Sequence, residues 1–599
     1  MMMRRLRLIP IILAGLLIAA LQSSPTANAN GNFAQTTDAA ANCTYGTGPL
    51  SEFVPPSTNQ SFTTVHEGRG KGMDPGDPCY LFLYWTSEIG PSFSYSAAFA
   101  RQSLQGSGLE VICQSASDPE CAASKFPNGQ FRSLAGFYKC ESEKDINCIS
   151  QLVIIDSNGT EQDATFERHF PDAPTIPPSD NPELNYPKGG SPILWSFTTS
   201  EGKKYIHTSG VVERNWSSDG RSWSRPTASF HFGLNAVDIH IDPAAVKPRL
   251  KNIEFTTPDG LKASRVEFSR DTVAGLEGNC ARWLAMDTGY CLTAEKFLPG
   301  YKYRVIFQVP PDQGFFLNGR LDAPVAYTEA LGANRKLVIE GAPATLFAVS
   351  GTIPKKYLTP EAVAAIKAGR DDFARSLQFA PADFPPMDTR YPDLLSALLP
   401  YFGDKTTFEL QAWTLVSTPS LGRFAQKCTN GGRGEMLGII STNASAFDGD
   451  PPVLDPVTQV LSYKVAAPHF AVDGKTENLG KYYMNMNANF IKCILGVDKV
   501  PAVAQIGITS GNQAERVSTV TVRTDKDWLR LNVDNFTFSS PKINVKFEIP
   551  APSEPVAAKP QLAQVAPKSV RKTITCVKGK TTRKISGTNP KCPTGFRRK

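Results

Sequence analysis

Twelve cysteines behind an export leader constrain this chain more than anything else in its 599 residues. Arg4, Arg5 and Arg7 form a basic head, Leu8 to Leu21 an apolar run broken by Pro10, and Ala27-Asn28-Ala29 a small-residue cleavage site. This is the three-part pattern of a secretory signal peptide over residues 1–29, and the apolar run falls short of the roughly 20 residues that span a bilayer. An exported chain meets an oxidising compartment, where an even number of cysteines reads as disulfides. The nearest-neighbour reading pairs Cys43 with Cys79, Cys113 with Cys121, Cys140 with Cys148, Cys280 with Cys291, Cys428 with Cys493 and Cys576 with Cys592. Connectivity stays open at this level, since six cysteines already permit fifteen pairings. There is no sortase-type Leu-Pro-x-Thr-Gly and no lipobox cysteine near the cleavage site. The expectation is a secreted protein, associated with the cell envelope, with no transmembrane anchor after cleavage.

Charge is polarised along the chain. The formal net charge is +7, but the first 29 residues carry +3 and the last 32 carry +11, which leaves −7 for everything between. Lys568 to Lys599 hold eleven Lys and Arg and no acidic residue. Within that stretch, Thr573 to Lys578 and Thr581 to Ser586 are β-prone runs around Gly579-Lys580, and glycine in the first loop position suits a type II′ hairpin. In that register Ile574 falls opposite Ile585, on the face that carries Cys576. A lone hairpin is marginal in water, but a bridge from Cys576 to Cys592 contributes about 3 kcal/mol in the chain-entropy model. The candidate contacts are Lys578, Lys580, Arg583, Lys584, Lys591, Arg597, Arg598 and Lys599. Their charge must meet solvent, the acidic remainder of the chain, or an outside polyanion. Residues 551–567 are a Pro-rich spacer able to extend about 50 Å. The expected partner is an anionic cell-wall or surface polymer, with surface glycans and other envelope proteins as further candidates; nucleic acid is not expected for an exported chain.

Most of the rest reads as strand. Asn30 to about Asp77 is rich in Gly, Pro, Ser, Thr and Asn and reads as loop, after which Tyr80 to Trp85 is an apolar run of strand length. Leu152 to Ile155 followed by Asp156-Ser-Asn-Gly159 reads as a strand and its turn. Phe170 to Gly190, with six prolines, reads as loop, and alternation resumes over Ile193 to Ile241. Thr359, Pro360 and Glu361 suit the N-cap, first position and first turn of a helix, with Val363, Ile366, Ala374 and Leu377 following at near-helical spacing. A second short helix is expected over Pro392 to Tyr401. From Thr406 to Ile549 the pattern is β again, with strands at Val517 to Val522, Trp528 to Val533 and Ile543 to Ile549, and with Tyr482, Met484 and Met486 alternating against Tyr483, Asn485 and Asn487.

Two resemblances bear on organisation. Leu298-Pro-Gly-Tyr-Lys-Tyr303-Arg-Val305 resembles the Leu-x-Pro-Gly-x-x-Tyr-x-Val run of immunoglobulin-like and fibronectin-like modules. There a tyrosine at a strand start bonds back to the preceding corner, a role that falls on Tyr303. His469-Phe470, Cys493, Asp527-Trp528-Leu529, Phe536 to Pro541 and the terminal Cys-Val-Lys-Gly-Lys and Pro-Lys-Cys-Pro-x-Gly-Phe runs resemble secreted proteins of high-GC Gram-positive bacteria. That resemblance covers roughly residues 428 to 599 and implies export and a recurring C-terminal architecture, without an activity. The expected fold is mainly β: several β-sandwich-like domains in tandem, a short helical connector and a small C-terminal disulfide-stapled hairpin. The expected boundaries are a signal peptide at 1–29, a β-rich disulfide-containing region at 30–247, an Ig-like or fibronectin-like sandwich at 248–355, a helical connector at 356–405, a β domain at 406–550, a linker at 551–567 and the basic module at 568–599.

Catalytic signatures are scarce. Asp287-Thr-Gly289 occurs once, whereas an aspartic protease needs two carboxylates sharing a proton. Trp216 to Trp223 resembles the Asp-box of sialidase-type propellers, but it is one residue short and single, and a propeller needs repeats; it reads as a hairpin turning at Asp219-Gly220. Asp238, His240 and Asp242 share one strand face near His231, and read as a solvated face; Asp448, Asp450 and Asp455 lack EF-hand spacing and read as a turn. No zincin, Gly-x-Ser-x-Gly or phosphate-loop motif is present, so neither metal nor cofactor is expected. The leading expectation is a binding, adhesion or display role. The alternative is a secreted carbohydrate-active hydrolase with a wall-binding tail, whose mark would be two carboxylates about 5–10 Å apart in a cleft; a surface-layer subunit is a third.

Overall fold

Alternating apolar residues set the long strands on which the body is built. Phe230, Phe232, Leu234 and Ala236 fall on one side of the strand Thr227–Ile241, and all four are buried in a computed structural model of the chain. The structure describes residues 96–548 apart from short internal stretches and the longer ones 270–282, 369–390 and 418–435 (Cys428 within the last is described), together with 37–38, 43–44, 80–85 and 572–599. The signal-peptide assignment therefore lies outside the described residues. Among those described, no helix is long and apolar enough to cross a membrane.

The fold is mainly β, organised on one extended hydrogen-bonded spine. From Gly202–Ser217 the order runs one way through Gln130–Gly136 and Ala97–Arg101 to Glu110–Ile112. The other way it runs through Thr227–Ile241, Phe408–Ser417, Phe316–Leu331, Gly438–Thr442 and Leu479–Asn487 to Trp528–Thr537. Every pair on this path is antiparallel except Phe316–Leu331 with Gly438–Thr442, which is parallel.

Two sandwich-like cores share the spine. In the first, a layer made by Cys148–Ile155, Lys302–Val309, the start of Asn334–Pro354 and the end of Phe316–Leu331 packs on it. Leu152, Ile154, Val305, Phe307 and Ile339 of that layer meet Trp195, Phe230, Phe232 and Trp413 of the opposing sheet. In the second, Val460–Ala466, Pro541–Phe547 and Val503–Ser510 form a separate sheet, which packs with the helix Ala488–Leu495 against Tyr482, Met484, Met486, Leu529 and Leu531. Each fully buried large apolar side chain in these cores contributes about 1.5–3 kcal/mol.

Strand pairing runs across the boundaries expected at 247/248, 355/356 and 405/406. The described residues up to Glu548 form one compact unit. Lys302–Val309, inside the expected Ig-like segment, pairs with Cys148–Ile155 from the expected N-terminal region, with Val305 opposite Leu152. The 21-residue strand Asn334–Pro354 pairs in turn with Lys302–Val309, with Phe408–Ser417 and with Tyr80–Trp85. Segments distant in sequence supply each other's edges, so none of them closes its own sheet. Nor does the helical segment act as a connector between domains. Leu394, Leu395 and Leu398 of Tyr391–Leu398 and Ala362 of Pro360–Ala368 bury against Val349, Ile353, Ala446 and Ala466 of the body's strands. Thr359 caps the first helix as its sequence predicts, its hydroxyl accepting from Ala362 N at 3.2 Å; Ala374 and Leu377 lie outside the described residues.

Disulfides join Cys113 to Cys121, Cys140 to Cys148, Cys428 to Cys493 and Cys576 to Cys592, matching the nearest-neighbour reading. Cys291 is also disulfide-bonded, while its expected partner Cys280 lies outside the described residues, as does Cys79, the expected partner of Cys43. Tyr303 is buried, with its phenol hydrogen-bonded to the backbone of Leu298 and its ring 5.3 Å from Phe297, so the corner geometry expected of it is present. A second compact unit spans Ile549–Lys599.

Candidate functional site

The eight basic residues expected to form a contact surface lie on a small three-stranded sheet. Lys572–Lys578 and Thr581–Gly587 pair antiparallel, and Arg597–Arg598 adds a third strand on the other edge of Lys572–Lys578. Ile574 stands opposite Ile585 and Lys578 opposite Thr581, the register that a two-residue turn predicts. Gly579 takes φ +58° in the first loop position, where a side chain would be strained. The Lys599 N–H donates to Thr575 O at 2.9 Å, which fastens the end of the chain to the central strand. Ile574 and Cys576 are buried, and the Cys576–Cys592 bridge closes the unit.

Alternation along the strands gives this sheet two unlike faces. Ile574, Cys576, Lys578, Arg583 and Arg598 share one of them. The segment 588–596 covers that face: Cys592 is bonded to Cys576, the Lys578 side chain lies beside Gly595, and the Arg583 guanidinium sits 5.7 Å from the Phe596 ring centre. Thr573, Thr575, Val577, Thr582, Lys584, Ser586, Arg597 and Lys599 share the opposite face, where no side chain is buried. Lys580 stands in the turn and Lys591 beside Cys592. All eight predicted residues are exposed, as is Lys572 at the base of the hairpin, and none makes an ion pair among the described residues. The third strand, missed from sequence, is only two residues long and leaves no periodic signal.

The body contains a polar cluster that no sequence motif announces. A shallow cleft is lined by Leu321, Asp322, Ala344, Thr345, Asn443, Lys481 and Tyr483. Two irregularities shape it: a bulge after Asp322, where Ala323 takes φ +47°, and another between Gly480 and Lys481. The Tyr483 hydroxyl lies 2.5 Å from Asp322 Oδ1 and 2.7 Å from Asp534 Oδ1, and Lys481 Nζ donates to Asp322 Oδ2. Burial, reinforced by the two carboxylates, pushes the Tyr483 phenol well above its usual range. Bonds of 2.5 and 2.7 Å to one shared oxygen put the two carboxylate oxygens at most 5.2 Å apart. That spacing resembles a glycosidase pair, but the phenol fills the gap in which a glycosidic bond would have to lie. One hydroxyl proton serves two acceptors, so the cluster as arranged ties three strands together. Asp322 lies 159 residues from Lys481 and Asp534 lies 51 from Tyr483, so the cluster follows no local motif.

The remaining motifs resolve into structural roles. Asp287 accepts from Thr288 N at 2.8 Å and from Asp172 N at 3.3 Å, and lies 3.9 Å from Arg168 at a hairpin turn. Asp219 accepts from the N–H groups of Arg221 and Ser222 at 2.7 and 2.8 Å, and Ser218 bridges Trp223, a hairpin tip under the Phe131–Trp216–Trp223 ring cluster. His240 Nε2 lies 2.8 Å from Thr293 Oγ1, and His231 points to the other face of its strand, where burial lowers its pKa to about 4. Asp448 accepts from Lys464 N and Asp455 from Val457 N, both at 2.8 Å; Asp450 lies outside the described residues. Among the described residues, no three His, Cys, Asp or Glu side chains gather into a metal-ligand set. No protein-family model matches the chain, and no curated protein matches it.

Proposed function

We propose that this chain is a secreted, envelope-associated binding protein, held to anionic envelope polymers by its basic C-terminal module. One observation carries the reading. Nine cations stand exposed on residues 572–599, in a stretch with no acidic residue, and none is paired among the described residues. Like charges crowded on a small sheet repel one another, and an outside polyanion relieves that repulsion while releasing its own counterions. The body then serves as the part displayed. The test compares the full secreted chain with one lacking residues 568–599 for retention on purified cell walls. Retention of the full chain at low salt, lost near 1 M salt where screening shortens to about 3 Å, supports the reading. Equal retention of the truncated chain overturns it.

A further inference from the structure

We propose that the open face of the C-terminal sheet, and not its disulfide face, is the docking surface, and that its occupant is a linear polyphosphodiester of the envelope. The inference rests on the wall-binding reading above and names the side chains and the polymer chemistry within it. Lys584, Thr575 and Lys599 form one row across three strands, because Thr575 pairs with Lys584 and its carbonyl accepts from the Lys599 N–H. Adjacent strands lie about 4.8 Å apart, so the two ammonium stems rise about 10 Å from each other with a hydroxyl between them. Arg597 stands two residues before Lys599 on the same strand, about 7 Å away and on the same side. Thr573, Thr582 and the other short side chains leave the floor between these cations low and flat.

This pattern suits a chain of singly charged, tetrahedral groups. Each phosphodiester spreads one charge over two oxygens, and can accept a charge-assisted bond from a lysine or arginine while a neighbouring hydroxyl donates to its second oxygen. The face carries no aromatic side chain, since Phe596 lies against Arg583 on the covered side. Single-stranded nucleic acids are gripped largely by base stacking, so the face fits a phosphate polymer without bases. The cations of the other face are hindered by the segment that covers it: Lys578 lies along Gly595, and Arg583 along Phe596.

The experiment uses the full secreted chain and two triple variants of equal charge. Lys584→Gln/Arg597→Gln/Lys599→Gln empties the open face; Lys578→Gln/Arg583→Gln/Arg598→Gln removes the same charge from the other. Poly(glycerol phosphate) is the probe at low salt, with polygalacturonate and duplex DNA as competitors matched in charge. A cation near a charged surface is worth roughly fivefold, so the open-face variant should bind about a hundredfold more weakly and the other variant only a few-fold more weakly. Lys584→Arg/Lys599→Arg, which keeps the charge, should bind as the parent does, excluding a folding defect at those positions. Equal losses in the two triple variants overturn the face assignment. Binding to polygalacturonate or DNA as tight as to poly(glycerol phosphate) overturns the polymer assignment. Either result leaves wall retention through residues 568–599 standing, because that reading fails only if the truncated chain is retained.

Discussion

Arg320 in the body and Arg583 in the C-terminal unit are both strand arginines, and their surroundings share almost nothing. Arg320 is about 1% exposed; its guanidinium donates to the carbonyls of Thr442, at 3.0 Å, of Ala444 and of Ser445, and it lies 4.2 Å from the Phe447 ring centre. Burial lowers its pKa to about 9. Arg583 is exposed, with one ring 5.7 Å away. The same division runs through both regions. In the body, Arg132 meets Glu213 at 2.7 Å, and Arg304 reaches both Glu161 and Glu340 at 2.7 Å. Among the described residues of the C-terminal unit, the buried apolar side chains are Ile574 and the bridged Cys576, and no lysine or arginine makes an ion pair. The body holds itself by burial, with pairs such as Arg132–Glu213 inside it; the small unit holds itself by a bridge, which leaves its charges for something else.

Acid should separate the two regions most. His207 and His231 are buried in the body with pKa values lowered to about 4, in each case first by desolvation. In the unfolded chain both imidazoles titrate near 6.5, so the unfolded state takes up protons first as pH falls. Stability should be flat above about pH 6.5 and decline between 6.5 and 4, by about 3 kcal/mol for each imidazole at the bottom of that window. Residues 568–599 contain no histidine, aspartate or glutamate, so amide protection of Lys572–Lys578 should not change over the same range. Urea unfolding of the body at pH 7, 5.5 and 4.5 measures the first effect, and hydrogen exchange measures the second. A body with no pH dependence here would mean the two histidines are not held neutral.

Next in size is Trp413→Ala. Trp413 is fully buried, its Nε1 donates to Gly341 O at 3.0 Å, and its ring faces Phe232 at 6.0 Å. The expected loss is about 3–5 kcal/mol. Because the spine is shared, the whole body should melt earlier as one transition in calorimetry. Two transitions, one of them unmoved, would mean that the two cores fold independently. Replacing the Cys576–Cys592 bridge with serines should cost the small unit about 3 kcal/mol, enough to leave a sheet with so small a core unprotected in hydrogen exchange. The body's melting should move by less than about 0.5 kcal/mol. A small unit that stays protected without its bridge would erase the contrast.

Apart from the Cys428–Cys493 bridge, spanning 65 residues, what was legible in the sequence was whatever is decided within about twenty residues. The pair Gly579-Lys580 set the register of its hairpin, Thr359 declared a helix start, and cysteines 8 residues apart found each other. Pairing across the sheet was not legible, because nothing local tells Val305 that it will lie opposite Leu152. The strand Leu479–Asn487 shows the limit well. Its alternation of Tyr482, Met484 and Met486 with Tyr483, Asn485 and Asn487 suggests one dry face and one wet face. Both are buried, because Asn485 donates to Pro324 O at 2.8 Å and Asn487 caps the helix that follows. The polar cluster of Asp322, Lys481, Tyr483 and Asp534 was hidden for the same reason, whereas the basic surface was readable because its residues are contiguous.

The smallest effect to measure lies within the body and compares two tyrosines. Tyr303→Phe keeps the ring against Phe297 and removes only the bond to the backbone of Leu298. It should cost about 1 kcal/mol, the net worth of a buried hydrogen bond. Tyr483→Phe removes a hydroxyl shared by Asp322 and Asp534, yet it should cost less. Asp534 is exposed, and Lys481 still donates to Asp322, so both carboxylates keep a partner or gain water. A cost for Tyr483→Phe as large as that for Tyr303→Phe would mean the shared proton holds the bulged strands together more than solvent can replace. A gain in stability would mean that the cluster is strained as it stands, and would turn attention from the C-terminal unit to the cleft as a place where this chain binds.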